Sequence, residues 1–308
     1  MCPKYPWTDA RTLAPLILGV VLTAAFVAWE VRGAAHPMVP RRLGRVPRTL
    51  ALLLVITFVS GANFFAVILI WPGQAYNVYG HDPVGVGMRG MPFAFGVLGG
   101  CVASLWLLTA LRGGARRLLL AASVVMTAGC GAMAAARPDN AGAVYAVLFV
   151  AGLGVGGIVV PASLITTIIC PDDLIATITA LTLAVRVVGG AIGYAVYYNV
   201  FGSKVVPLVG RHIAVTLRSA GITDEKLVKA VTQLTLGSNT GVIVRLPEVV
   251  AHPGLGSALV AAGQEAYALA YPWVYYCSIA FGGLSIAATL FLEDIGEFMD
   301  DHVAVVIA

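Results

Sequence analysis

Residues 147–163 read VLFVAGLGVGGIVVPAS, and the class of protein turns on how its glycines are understood. Gly152, Gly154 and Gly157 spell G-x-G-x-x-G behind an apolar run. Asp173 follows about where a dinucleotide-binding fold places its ribose carboxylate. That reading needs a strand before the glycines, an exposed turn, and a helix opening at them. Here they lie inside residues 140–171, a stretch with no Asp, Glu, Lys or Arg, and Pro161 follows. Gly152 and Gly156 also form G-x-x-x-G, a spacing that lets membrane helices approach closely. Gly96 and Gly100 repeat it, as do Gly189 and Gly193. We read these six glycines as helix-packing faces, and no cofactor is expected.

Composition points the same way. The 308 residues are 59% hydrophobic and 11% charged, with a mean hydropathy of +0.90. Soluble domains carry roughly a quarter charged residues, so this chain lacks the means to cover a water-facing surface. Charge-free stretches run over 12–29, 49–81, 90–111, 118–136, 140–171 and 266–292. A seventh, 174–203, is broken only by Arg186. Each is about as long as the ~20 residues that cross a bilayer core, or longer. The first could pass for a signal peptide, but no convincing cleavage site follows it and six further stretches do. The expected fold is an all-α integral membrane protein of seven transmembrane helices, at about 12–30, 49–72, 88–111, 118–136, 142–170, 174–201 and 272–292.

Basic residues gather in cytoplasmic loops. The first connection holds Arg32, Arg41, Arg42, Arg45 and Arg48, and the third holds Arg112, Arg116 and Arg117. The opposite side offers Lys4, Arg11, Arg89 and Arg137. The amino terminus is therefore expected outside and the carboxyl terminus inside. A formal net charge of +4 needs no nucleic acid to explain it. Trp71, Tyr76, Tyr197, Tyr198, Phe201, Tyr271, Trp273, Tyr275 and Tyr276 stand at span ends, where amphipathic rings meet the membrane surface. Residues 202–271 form a long connection placed outside by the helix count. Within it, TDEKLVKAVTQL reads as a helix capped by Thr223 or Asp224. LGSALVAAGQEAYALAY reads as a second helix running into the last span.

No nucleophile elbow, zinc motif or phosphate loop occurs, the cysteines lack metal-ligand spacing, and the histidines are scattered. An enzyme is not expected, nor a metal. The chemistry-bearing residue is Arg186, about mid-membrane, where a charge costs at least ~2.5 kcal/mol and usually faces a bundle interior or a wet cavity. Two roles stay open: a cation lining a substrate path or gate, or a structural arginine satisfied by carbonyls and polar side chains. Asn63 is the most central amide of the second span, Gln74 follows just beyond Trp71 and Pro72, and Ser163, Thr166 and Thr167 follow Pro161 in the fifth; each can bind substrate or join helices. Asp172 and Asp173 sit in the turn CPDDL, expected on the cytoplasmic side and suited to capping the sixth span. A proton-coupled carrier wants an acid at membrane depth. No carboxylate here lies as deep as Arg186.

YPWTDARTLAPLILG, HPMVPRRL, WPGQ, PASLITTIICPDDLIATITALTLAVRVVGGAIGYAVYYNVF and DIGEFMDDHVAVV resemble the fungal trichothecene-efflux-pump family. That family comprises fourteen-helix major facilitator transporters of the drug:proton antiporter type. The resemblance runs from about residue 5 to the end, and its last two blocks are the most specific. It implies a plasma-membrane exporter of hydrophobic small molecules, or of siderophores in related members, coupled to protons. Against fourteen helices this chain offers seven, so it corresponds to the carboxyl-terminal half. Residues 1–48 would be a linker helix and basic loop, 49–292 a six-helix bundle of two inverted three-helix repeats, and 293–308 a cytoplasmic tail. LRGGARR looks like a degenerate copy of the family's signature loop. The resemblance places Asn63, Phe64 and Ser163 on the substrate cavity wall. Transport would then need a missing amino-terminal bundle or a partner chain, in a lipid bilayer. The competing expectation is a truncated paralogue that does not transport.

Overall fold

The computed structural model describes residues 9–34, 47–110 and 114–293. The tail from 294 on, and Lys4, Arg41, Arg42, Arg45 and Arg112, lie outside them. Eleven α-helices occur among the described residues: α1 (Ala10–Arg32), α2 (Pro47–Tyr79), α3 (Pro83–Ala110), α4 (Ala115–Ala132), α5 (Ala141–Ile168), α6 (Ile175–Ser219), α7 (Glu225–Leu236), α8 (Thr240–Ile243), α9 (Pro247–Val250), α10 (Leu255–Ala270) and α11 (Pro272–Leu290). Seven helical segments are long and apolar enough to cross a membrane, α10 and α11 counting as one. The protein is all-helical among the described residues, with the architecture of half a major facilitator fold.

The helices begin near the expected positions, but two run on. α2 continues seven residues beyond Pro72, whose ring lies on the exposed side. Such a proline is tolerated where neighbours reoccupy the freed carbonyl. The larger change is α6. Its 45 residues would reach roughly 68 Å at 1.5 Å per residue, about twice a ~30 Å hydrocarbon core. Lys204 and Arg211 are the first charged residues after Arg186, and the helix continues past both.

Most of residues 202–271, read as a connection, is therefore helix. Val205, Val209, Ile213 and Leu217 recur every fourth residue on α6 and are buried. That stripe packs α7 and α10 into a small cap beyond the bundle. Asp224, at the N-cap of α7, accepts from the Lys226 amide at 2.9 Å. Ser238 ties the cap down by donating to Asn77 Oδ1 of α2 at 2.7 Å.

The bundle consists of two interlocked triplets, α2–α3–α4 and α5–α6–α11. The first helix of each packs mainly on the second helix of the other, giving α2–α6 and α3–α5 as the most extensive pairs. α4 and α11 close the bundle through α4–α5, α2–α11 and α4–α11 contacts. Exchanging the triplets exchanges these pairings, as two inverted repeats require. Leu53, Ile56, Met126, Leu148, Ile158, Ile165 and Ile178 are fully buried where the triplets meet.

Small residues make the close pairs possible. A Cβ at Gly96 would land on the carbonyl oxygen of Phe149, one at Gly100 on that of Leu153, one at Gly152 on that of Phe93 and one at Gly156 on that of Val97. On the other pair, Gly189 meets the Phe58 carbonyl and Gly193 meets Ala62. The backbones touch with no side chain between them, where dispersion and close packing hold helices together in lipid.

Candidate functional site

Arg186 lies eleven residues into α6, roughly 16 Å along its axis. Its Nη2 donates to the Val159 carbonyl of α5 at 2.7 Å and to Ser163 Oγ at 3.1 Å. Ser163 in turn donates back to Val159 at 3.1 Å, so one carbonyl collects both groups. Pro161 stands between them in α5 and has no N–H to offer. α6 approaches closely here because a Cβ on Gly61 of α2 would fall on the Arg186 carbonyl oxygen. Arg186 thus joins three helices, and Arg186 and Ser163 keep part of their surface exposed. Among the described residues its Nε has no partner.

The other polar candidates separate into two groups. Thr166, fully buried, donates to the Ser163 carbonyl at 2.6 Å and lies 3.3 Å from Thr182 Oγ1 of α6. It extends the Arg186–Ser163 contact by one turn. Thr167 spends its hydroxyl on Leu164 O at 2.7 Å. Asn63 faces the bundle interior, where its Oδ1 accepts from Tyr197 of α6 at 3.2 Å. Gln74 is fully buried too, and its Oε1 accepts from Tyr275 of α11. Asn63 Nδ2 and Gln74 Nε2 have no partner among the described residues. Phe64 is partly exposed and its ring lies 6.1 Å from that of Phe93 on α3.

Asp172 and Asp173 are exposed in a single 3-10 turn before α6. The N-cap of α6 is Leu174, which makes no side-chain cap bond, so neither acid occupies that position.

Two features escaped the sequence reading. Tyr197 and Tyr275, expected among the interfacial rings, are fully buried, and Trp71 and Tyr271 nearly so, whereas Tyr276 and Trp273 are exposed. Successive helix residues point about 100° apart, so a cluster of rings cannot all face one way. A buried amide on α2 wants a donor, and that was the available signal for both tyrosines. The second feature is the use of arginines as helix caps. Arg89 donates to the Ala75 and Gly80 carbonyls at 3.3 and 3.2 Å, closing the end of α2. Arg116 donates to Leu290 O at 2.6 Å, the end of α11. Cations are favoured at helix carboxyl ends by the aligned backbone dipoles. Near the same end, Arg48 pairs with Glu293 at 3.3 Å, both exposed. Outside the spans, burial lowers the His81 imidazole below its ordinary value; its ring meets Tyr76 edge-on at 4.9 Å.

A transmembrane bundle of inverted triplets with a cationic group at mid-depth suits a carrier, and sequence relationships agree. The family model of the fungal trichothecene efflux pump matches residues 2–308. The chain belongs to that family. It is 25% identical over 309 residues to the trichothecene efflux pump TRI12 of Fusarium sporotrichioides, covering 98% of this chain and 50% of that protein. It is 24% identical to the MFS transporter L2 of Phoma sp., over 94% of this chain and 46% of the relative. The MFS-type efflux transporter ffsH of Aspergillus flavipes is also 24% identical, at 95% and 49% coverage. The chain spans about half the length of the curated relatives it matches. Two of these relatives are named as efflux transporters and the third as an MFS transporter, so the family is one of membrane transporters.

Proposed function

We propose that this chain forms the carboxyl-terminal bundle of a plasma-membrane exporter of hydrophobic small molecules. Export proceeds by alternating access, one bundle rocking against the other. Trichothecene-like toxins are the substrate class, by analogy with the relatives' names. The supporting observation is the exchange-symmetric pairing α2–α6 and α3–α5 in a chain of an efflux family. The carboxyl terminus lies inside, on the side of the arginine-rich connections. Coupling is to protons, with the acid at membrane depth supplied by the amino-terminal bundle.

Arg186 is the residue assigned to this cycle. Its bonds to Val159 and Ser163 hold α6 against α5 on either side of Pro161. Releasing them frees the two helices to tilt separately. Co-expression of this chain with the amino-terminal half of a family member, in a pump-deficient yeast, tests the reading. Toxin efflux requiring both halves and lost in Arg186→Ala at unchanged surface abundance is the expected result. Lysine keeps the charge but not the planar guanidinium, so Arg186→Lys restores efflux only in part. Efflux unaffected by Arg186→Ala would remove Arg186 from the mechanism, and no efflux from the reconstituted pair would remove the exporter reading.

A further inference from the structure

A cavity of about 10 Å³ lies where the cap meets the bundle, close to the least space that holds one water. Three elements reach it. His81 comes from the connection between α2 and α3, Thr240 is the first residue of α8, and Gln264 belongs to α10. None of these three side chains makes a hydrogen bond among the described residues, though each can both donate and accept. The other polar walls are already engaged. Asn77 Nδ2 donates to Gly73 O at 2.8 Å, and its Oδ1 accepts from Ser238 at 2.7 Å. Thr235 donates to Val231 O at 2.8 Å, and Tyr267 donates to Thr235 O at 3.2 Å. Ile243 and Leu259, both buried, close apolar sides.

Size and chemistry together select the occupant. An organic molecule does not fit in the space of one water. A hard cation such as calcium takes six or more oxygens. His81, Thr240 and Gln264 bring two side-chain oxygens between them, and no acid is among the described residues of the wall. Water both donates and accepts, and a buried one is held by two to four polar partners. We propose that a single buried water binds here, held by His81, Thr240 and Gln264, and that it ties α8 and α10 to the end of α2 beside the Ser238–Asn77 bond. A bridging water is nearly as favourable as a direct hydrogen bond, so the cap is docked by two polar ties at one place. The site does not rest on the transport reading above.

A crystal structure of the purified wild-type chain, sharp enough to show ordered waters, reads the site directly. A density peak within about 3.2 Å of at least two of the three side chains is expected, and its absence overturns the proposal. Amide exchange in α7 and α10 of the same chain tests the tie itself. Thr240→Val and Gln264→Met keep the shape of each side chain and remove its hydrogen bonding. Each is expected to speed exchange about fivefold, the worth of one hydrogen bond. The double variant is expected to exchange no faster than the faster single, because either substitution releases the same water. Unchanged rates in both single variants would mean that the side chains are served by bulk solvent, and would overturn the proposal. A double variant whose effect is the product of the two would overturn it as well, because the two groups would then act separately. The density test needs no substitution and stands even where a variant fails to accumulate.

Discussion

Arg186 donates from one nitrogen to two acceptors on the neighbouring helix. An arginine at this depth costs at least ~2.5 kcal/mol to insert, and hydrogen bonds made by a charged group return about 1.5–3 kcal/mol each. The two bonds together return about 3–6 kcal/mol, so much of the gain is offset and Arg186→Met is expected to lower the unfolding free energy of the purified chain by no more than about 3.5 kcal/mol. A larger loss in a denaturant titration would make the arginine chiefly a staple. Asn63 tests the opposite balance. Tyr197→Phe removes the donor to Asn63 Oδ1, leaving both ends of a buried amide without partners among the described residues. The expected cost is about 1–3 kcal/mol, mostly recovered by adding Asn63→Leu, because two apolar groups leave nothing unpaired. A double-mutant cycle reads this directly. The sequence singled out Arg186, Asn63 and Gln74 by their rarity in apolar spans. It could not show that Asn63 and Gln74 would be answered by Tyr197 and Tyr275, because those partners lie 134 and 201 residues away.

Glycine spacing acts at the level of helices. Gly156→Ala puts a methyl on the Val97 carbonyl oxygen of the facing backbone, which has no flexible end to move aside. About 1–3 kcal/mol of overpacking is expected, whereas Gly142→Ala, whose Cβ meets nothing within 4 Å, is expected to be neutral or slightly stabilising. Thermal midpoints of the two variants discriminate this from a general dislike of alanine. The cap offers a pH-dependent counterpart. His81 lines a small cavity with Asn77, Thr240 and Gln264 where the cap meets the bundle. Burial lowers its pKa in the closed structure, so the opened form binds the proton more readily. Stability of the closed cap is complete above the ordinary histidine value of ~6.5 and declines as pH falls through the lower folded value. Amide exchange in α7 and α10, corrected for intrinsic rates, is expected to speed up at pH 5.5 relative to pH 7.5. His81→Gln removes the difference. Helix starts were legible from charge gaps and caps, but the continuation of α6 was not. Lys204 closes the charge-free stretch, and only the buried Val205–Leu217 stripe against α7 and α10 shows that the helix goes on.

At the scale of the molecule, the pairing α2–α6 and α3–α5 means that each triplet buries its main faces against the other. Residues 1–137 and 138–308 expressed separately are therefore expected not to accumulate as protease-resistant protein. Expressed in one membrane, they are expected to reassemble into a species that resists proteolysis. Accumulation of either half alone would show the triplets to be independent folding units.

Composition, charge gaps and glycine spacing by themselves determined the solvent and the number of spanning segments, because lipid demands long apolar helices whatever their arrangement. The motif blocks carried the family. Which helix lies against which, which tyrosine turns inward and which carbonyl receives Arg186 depended on long-range packing. Helices that are apolar on all sides carry no one-sided stripe to announce their neighbours. In α5, where almost every position is apolar, only the positions that accept no Cβ revealed the contacting face, and that geometry exists only once the backbones have met.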